Sequence, residues 1–192
     1  MEIDIIEGAR GTGKSTIAFK LRQRVSETTL INFTGFHEDG EKGLIKVFKY
    51  YKAWMRMFFQ AHRHESNFVF DRFFFSERVY SQLYKEYDFK KAYVYLLDDL
   101  ETLSEMGVKI NIFFLTIDND KELKQRLIRD KVPFGKAEEN VVETLKQQEL
   151  YKNMFESLYY NKTSDNIRVF KIDTSGKTNE EVYEEIIQLK TT

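Results

Sequence analysis

The sequence of 192 residues contains no cysteine, one proline and three histidines. Without cysteine, the chain has no disulfide, no thiol nucleophile and no metal site built on sulfur. His62 and His64 lie two residues apart and face different sides of a predicted helix, so we expect no structural metal site. Glycine is also scarce, and three of the nine glycines fall within residues 8–13, which makes that segment stand out.

The charge balance shows no excess of either sign. The 30 lysines and arginines nearly match the 31 acidic residues, giving a net charge of −1. Such a chain has no global field that attracts polymeric nucleic acid or a membrane surface. It also lacks the long apolar run of a signal peptide or a membrane span. We therefore expect a single cytoplasmic domain over residues 1–192.

Residues 8–15 form the most informative segment, with the sequence GARGTGKS. It satisfies the phosphate-binding pattern G-x-x-x-x-G-K-[ST] and lies between an apolar run and an apolar helical stripe. In such a loop, backbone N–H groups and the helix N-terminus surround a polyphosphate. The pattern predicts that Lys14 contacts the β- and γ-phosphates of ATP and that the Ser15 hydroxyl holds Mg²⁺. The predicted ATP-binding residues are Gly8, Arg10, Gly11, Thr12, Gly13, Lys14, Ser15 and Thr16.

Five apolar segments alternate with helical patterns along the chain. Strands are predicted at about Glu2–Glu7, Thr29–Phe33, Asn67–Phe70, Lys109–Ile117 and Ile167–Ile172. Helices are predicted at about Ser15–Val25, Leu44–His62, Phe74–Tyr87, Lys91–Met106, Asp118–Asp130, Val141–Leu158 and Asn179–Leu189. This alternation predicts an α/β, three-layer P-loop NTPase fold with a five-stranded parallel sheet flanked by helices. Ligands of such sheets bind at the carboxyl ends of the strands, near which Ser15, Thr34, Asp71 and Asp118 fall.

A second motif, Asp71-Arg72-Phe73-Phe74-Phe75-Ser76-Glu77-Arg78-Val79-Tyr80, follows the third strand. Here the chain resembles thymidylate kinases and the related deoxynucleoside kinases, whose stretch reads Asp-Arg-Tyr-x-x-Ser-x-x-Ala-Tyr-Gln. The matching residues are Asp71, Arg72, Ser76 and Tyr80. The resemblance extends to Ile6-Glu7-Gly8, which mirrors the family's Phe-Glu-Gly, and to Ile172-Asp173-Thr174-Ser175 near the end of the chain.

The resemblance implies ATP and Mg²⁺ as cofactors and assigns roles to several residues. Arg72 would bind the acceptor's phosphate with its guanidinium fork, near Ser76 and Tyr80, and Asp71 would hold Mg²⁺ through water or position the acceptor. A polar break at about residues 130–139 occupies the position of the family's lid. As the lid closes, Arg129, or Arg126, would move over the phosphates of ATP. Because family members are often homodimers, the resemblance also suggests a homodimer.

Each of these roles has a structural alternative. Asp71 would instead cap the following helix, Arg72 would pair with a neighbouring acid, and the arginines near the lid would be ordinary solvated charges. Aromatic side chains available for stacking on a base, or for the core, are Phe36, Phe48, Tyr51, Trp54 and Tyr80. Arg56 and Arg63 are weaker candidates for an acceptor-side arginine.

Two departures from the family concern the substrate. Arg10 stands where thymidylate kinases carry an aspartate for the deoxyribose 3′-hydroxyl, so we do not expect dTMP as the sole substrate. The family's Glu-Pro stretch after the second strand is absent, which leaves Glu38 or Asp39 as the general base that a nucleoside acceptor needs. A monophosphate needs only orientation and charge neutralisation.

The sequence therefore predicts ATP-dependent phosphoryl transfer to a nucleotide, a deoxynucleoside monophosphate in the first place, including one with a modified base. The alternatives are a deoxynucleoside kinase, with Glu38 in the substrate site, a kinase acting on a nucleic-acid group, and a nucleotide-binding protein without catalysis. Nucleic acid is the least expected acceptor because the net charge is near zero.

Overall fold

A computed structural model describes residues 1–33, 35–129, 137–161 and 166–191 of the chain. Thr34 and residues 130–136, where most of the lid is predicted, lie outside the described residues. Five parallel strands form one sheet: β1 Glu2–Gly8, β2 Thr28–Asn32, β3 Asn67–Asp71, β4 Lys109–Thr116 and β5 Ile167–Asp173. Their order across the sheet is β2-β3-β1-β4-β5.

The register of the sheet brings the two sequence motifs together. In the central strand, Ile6 is opposite Asp71 of β3 and Phe113 of β4. The phosphate loop leaves β1 directly after this level, and Arg72 follows β3 at the same level. Its backbone N–H donates to the Ile6 carbonyl at 3.0 Å. The two motifs begin 63 residues apart in sequence (71 − 8), yet they lie side by side because they follow neighbouring strands.

Seven helices flank the sheet in the described part of the chain: α1 Lys14–Arg24, α2 Gly40–Ala61, α3 Phe74–Tyr84, α4 Lys90–Glu105, α5 Asp120–Arg129, α6 Ala137–Asn161 and α7 Asn179–Thr191. Helices α1 and α7 pack on one face around a core that includes Ile17 and Ile186. Helices α2, α3, α4 and α6 cover the other face. The three-layer arrangement and the parallel five-stranded sheet are therefore confirmed. Within the described ranges, no helix combines the length and the apolarity that crossing a membrane requires.

Most helix ends differ from the prediction by a few residues. Helix α2 begins at Gly40 rather than Leu44, because the Asp39 side chain accepts a hydrogen bond from the Gly40 N–H at 2.7 Å and caps it. Helix α3 ends at Tyr84 rather than Tyr87, since the chain becomes extended at Lys85. Apolar periodicity does not report such caps.

Aromatic rings fill the larger core. Tyr51 is fully buried and meets Phe73 edge-on, with the ring centroids 5.3 Å apart. Trp54 packs edge-on against Phe70 at 5.3 Å, and Phe48 packs against the same core. For these three candidates, the structure favours the core over base stacking.

At the amino end of the sheet, a polar network joins the first strand to the last helix. Asp4 is 5% exposed and accepts hydrogen bonds from Lys190 of α7 and from the Asn111 amide of β4. Burial raises the pKa of Asp4, while Lys190 opposes that rise. This ion pair fixes the C-terminal helix on the sheet, at the edge away from the phosphate loop.

Candidate active site

Two adjacent cavities open beside the carboxyl ends of β1 and β3. The P-loop cavity, of about 840 Å³, is lined by the phosphate loop, by α5 and by the chain entering α7. The α3–α6 cavity, of about 420 Å³, is lined by residues of these two helices and by Phe33, Gly35 and Phe36 after β2. Arg10 and Arg72 line both cavities, so the boundary between them is positively charged.

The phosphate loop depends on glycine at specific positions. Gly8 has φ 139°, and a Cβ there would lie 2.2 Å from the Leu115 carbonyl oxygen of the neighbouring strand. Gly13 has φ 87° just before α1 begins. Thr12 is buried and its hydroxyl donates to the Ala9 carbonyl at 3.0 Å, which stabilises the loop. Ser15 and Thr16 line the P-loop cavity at the helix N-terminus, where an anion is favoured.

Lys14 occupies the floor of this site. Its side chain is buried, and the ammonium donates to the Ala9 carbonyl at 2.6 Å. Burial lowers the pKa of Lys14 to about 7, and the charge of Arg72 adds to that lowering, while Asp71 and Glu7 oppose it. A bound phosphate would stabilise the charged ammonium, so the site is electrostatically suited to an anion.

Asp71 lies at the end of β3, and one of its oxygens has no partner. Oδ2 accepts from the Asn32 amide at 3.1 Å, whereas Oδ1 is buried without a hydrogen bond to any described residue. Buried carboxylate oxygens are rarely left in this state. A Mg²⁺ ion fits here: it prefers oxygen, keeps several waters and takes few protein ligands besides phosphate. Asp71 and the Ser15 hydroxyl would hold it, and no cluster of three candidate ligands exists among the described residues.

Glu7, for which the sequence analysis assigned no role, organises the second motif. This fully buried carboxylate accepts from the Phe73 N–H at 2.7 Å, the Ser76 N–H at 3.3 Å and the Ser76 hydroxyl at 2.6 Å. It therefore supplies the N-terminal cap of α3 that was the alternative role of Asp71. Burial raises the pKa of Glu7 to about 7. The sequence feature that could have identified Glu7 is a carboxylate at the end of an apolar strand.

Arg72 adopts a strained backbone conformation. Its φ is 75°, in the left-handed region that residues with a side chain seldom occupy. Its guanidinium donates to the Tyr80 hydroxyl and lies 5.2 Å from the centroid of that ring. No carboxylate of the described residues forms an ion pair with it. The alternative of pairing with a neighbouring acid is therefore not found, and the guanidinium faces both cavities.

The structure brings together some of the predicted substrate residues and separates others. Phe36, Ser76 and Tyr80 line the α3–α6 cavity. Glu38 pairs instead with Lys46 at 2.6 Å, and Asp39 accepts from the N–H groups of Gly40 and Glu86 at 2.7 and 2.9 Å. Neither carboxylate lines either cavity. Arg56 and Arg63 also lie outside both.

Both arginines predicted near the lid line the P-loop cavity from α5. Arg126 donates to the Gly11 carbonyl at 3.3 Å and to the Thr174 carbonyl at 2.7 Å, and it pairs with Glu122. It thereby links the phosphate loop to the segment after β5. Arg129 lies nearly one helical turn further on. Wall residues that the sequence analysis missed, Glu143 and Gln147 of α6, line the α3–α6 cavity.

No protein-family model matches the chain, and no curated protein matches its sequence. Solved structures share its fold. A deoxyadenosine kinase from M. mycoides is 18% identical, with all of both chains covered and a TM-score of 0.59. A thymidylate kinase from Candida albicans is 17% identical, covering 97% of this chain and 89% of the kinase, with a TM-score of 0.53. Polyphosphate kinase 2 from Arthrobacter aurescens is 18% identical, covering 96% of this chain and 64% of that one, with a TM-score of 0.64.

At such identities, the likeness shows the fold. The chain has the three-layer α/β P-loop fold of these kinases, as the sequence predicts. The structures that share this fold include a thymidylate kinase and a deoxynucleoside kinase, the two kinds of kinase that the motifs resemble.

Proposed function

We propose that this protein is an enzyme that transfers the γ-phosphoryl group of ATP to a nucleotide, with a deoxynucleoside monophosphate as acceptor. The observation that carries the proposal is that Arg10 and Arg72 line both cavities. A donor phosphate in the P-loop cavity and an acceptor phosphate in the α3–α6 cavity would meet between two guanidinium groups. The two guanidinium groups would offset the repulsion between two phosphates that must approach each other.

The residues supply positioning and charge, which are the main requirements of phosphoryl transfer. Lys14 and the loop N–H groups would stabilise charge on the transferred group, and Arg72 would orient the acceptor phosphate. Mg²⁺, held by Ser15 and Asp71, would neutralise charge on the phosphates when bound. Arg129 and Arg126 would add positive charge from α5, with the predicted lid excluding water.

A deoxynucleoside acceptor is the second candidate, favoured by the full-length likeness to a deoxyadenosine kinase. A neutral 5′-hydroxyl benefits from a general base. The predicted bases Glu38 and Asp39 are engaged in an ion pair and a helix cap outside the cavities. Glu7 is buried, with both oxygens accepting hydrogen bonds. This arrangement supports the monophosphate as acceptor.

The test is a product analysis with purified protein and Mg·ATP. Each common nucleoside, each (deoxy)nucleoside monophosphate and a short single-stranded oligonucleotide is added separately, and mass spectrometry detects the gain of one phosphoryl group. Inorganic polyphosphate replaces ATP in a parallel series, because one protein of this fold is a polyphosphate kinase. Lys14→Ala is the test variant, and Lys49→Ala, on the exposed side of α2, is the matched control.

A diphosphate product that disappears in Lys14→Ala and persists in Lys49→Ala supports the proposal. A monophosphate made from a nucleoside favours the second candidate, and a phosphorylated oligonucleotide favours a nucleic-acid acceptor. Binding of ATP without any product supports a binding protein without catalysis. Undiminished transfer by Lys14→Ala would remove Lys14 from the mechanism.

A further inference from the structure

A chain of three polar side chains crosses the wall of the α3–α6 cavity. Tyr84 is the last residue of α3, and Glu143 and Gln147 lie four residues apart on one face of α6. The Tyr84 hydroxyl donates to the Glu143 carboxylate, and the Gln147 Nε2 donates to the Tyr84 oxygen at 2.8 Å. All three residues line the cavity.

The hydrogen bonds among Tyr84, Glu143 and Gln147 fix the orientation of the Gln147 amide. An ionised carboxylate only accepts, so the single proton of the Tyr84 hydroxyl is directed to Glu143. Burial, followed by the bond to Glu143, raises the pKa of Tyr84, so the hydroxyl retains its proton. The Tyr84 oxygen can then only accept from the amide. It therefore binds Nε2 of Gln147 and leaves Oε1 for another donor.

That second donor is missing. Gln147 is 5% exposed, and its Oε1 is buried without a hydrogen bond to any described residue. A buried carbonyl oxygen in this state is costly unless a ligand or water supplies a donor. The surrounding wall also presents acceptors, since the carboxylates of Glu77 and Glu143 line the same cavity. Arg10, Arg72 and Lys85 line other parts of the cavity, but at Gln147 and Glu143 a ligand that fits carries hydrogen-bond donors.

We propose that Gln147 is a specificity-determining residue whose Oε1 accepts a hydrogen bond from the exocyclic amino group of the acceptor's base. The acceptors are then nucleotides of cytosine or adenine rather than of thymine or uracil. The inference rests on the proposed function and names its substrate class. An amino group has two protons and can serve Gln147 and Glu143 together. In uracil and thymine, the N3–H lies between two carbonyls, one of which would face a carboxylate.

The position along α3 assigns this contact to the base rather than to the phosphate. Arg72 contacts Tyr80, which marks the phosphate end of the cavity. Tyr84 lies four residues further along the helix, about 6 Å away at about 1.5 Å per residue. A sugar hydroxyl is the other donor that a nucleotide offers, and the experiment separates the two.

The experiment measures dissociation constants by calorimetry for dCMP and dUMP, which differ by an amino group against a carbonyl at one ring position. We expect wild-type protein to bind dCMP at least about 10-fold more tightly, because dUMP lacks the buried hydrogen bond and turns a carbonyl oxygen toward the carboxylate. The pair dAMP and dIMP repeats the comparison on a purine. The 2′,3′-dideoxy form of CMP removes the sugar donors.

Two variants test the amide itself. Gln147→Met removes the acceptor at similar length and should reduce the preference to within about 2-fold, by weakening dCMP binding. Tyr84→Phe frees the amide to rotate and present Nε2. The preference should then fall through tighter dUMP binding, which a purely structural defect would not produce. Tyr95→Phe, which removes the hydroxyl of a half-exposed tyrosine outside the cavity, is the control and should keep the wild-type preference.

The outcomes separate this inference from the proposed function. Equal binding of dCMP and dUMP overturns the inference, even if both are phosphorylated. If Gln147→Met weakens binding of dCMP but not of the dideoxy nucleotide, the sugar hydroxyl is the donor to Gln147 and the inference is overturned. Preferential binding of dCMP without phosphorylation supports the inference and contradicts the proposed function. Failure to bind any of these nucleotides contradicts the inference, whereas the proposed function is then decided by the product analysis with the remaining monophosphates.

Discussion

Replacing Glu7 by glutamine should change the pH dependence of stability. The carboxyl has a pKa of about 7 in the folded protein, against 4.5 when unperturbed. The folded state therefore binds the proton more tightly than the unfolded state. The stability from this proton is fully present below pH 4.5 and is lost as pH rises through 7. At about 1.4 kcal/mol per pKa unit, the wild-type free energy of unfolding falls by about 3 kcal/mol across this window.

Glutamine keeps the hydrogen bonds but cannot ionise. Its Oε1 accepts from the N–H groups of Phe73 and Ser76, as Glu7 does. Its Nε2 donates to the Ser76 hydroxyl, which then donates to the Tyr151 hydroxyl, 2.7 Å away. We therefore expect the stability of Glu7→Gln, relative to wild type, to increase by about 3 kcal/mol between pH 4.5 and pH 8.

Urea unfolding at several pH values measures this difference. Trp54, the single tryptophan, packs against Phe58 and Phe70, so its fluorescence reports loss of the core. Glu65→Gln, at an exposed position after α2, should give a curve parallel to wild type. If the curve of Glu7→Gln is also parallel, attraction to Arg72 and Lys14 offsets the burial of Glu7, and the argument is refuted.

Three further substitutions test the fold and the site. Gly8→Ala places a Cβ 2.2 Å from the Leu115 carbonyl oxygen; we expect a loss of about 3 kcal/mol or more in urea unfolding, and a stable variant would contradict the loop geometry. Arg72→Lys keeps the charge but loses the planar fork, so kcat/KM should fall about 100-fold in a variant that still unfolds cooperatively in urea; wild-type kinetics would show that the fork is not used. Lys190→Met leaves Asp4 buried without its ion pair and should destabilise the protein by about 3 kcal/mol at pH 7. Because burial raises the pKa of Asp4, that loss should shrink as the pH is lowered and Asp4 is protonated; a loss independent of pH would instead indicate a packing defect.

The residues of the phosphate loop were predictable from sequence because their chemistry is local. The pattern over residues 8–15 needs only its own backbone and the adjoining strand and helix. Asp71 and Arg72 were found through their resemblance to a motif that directly follows a strand. Both motifs line up because parallel strands end at one edge of the sheet.

Residues that act through distant partners could not be found in this way. Glu7 caps a helix that begins 67 residues later (74 − 7), and only the pairing of β1 with β3 brings the two together. The orientation of the Gln147 amide is set by its hydrogen bond to Tyr84, 63 residues earlier in the chain. Conversely, Glu38 was a chemically reasonable base, but its placement beside Lys46 depends on where α2 begins.

By itself, the sequence determined the type of fold, the phosphate loop and the second motif, because hydrophobic periodicity and glycine placement act over a few residues. The tertiary structure alone decided which charges share a cavity. It placed Arg10 and Arg72 between two cavities, buried Glu7 beneath them and left oxygens of Asp71 and Gln147 without partners. Burial and orientation set the chemistry of these groups, and both depend on strand order and helix packing, which bring together residues distant in the chain.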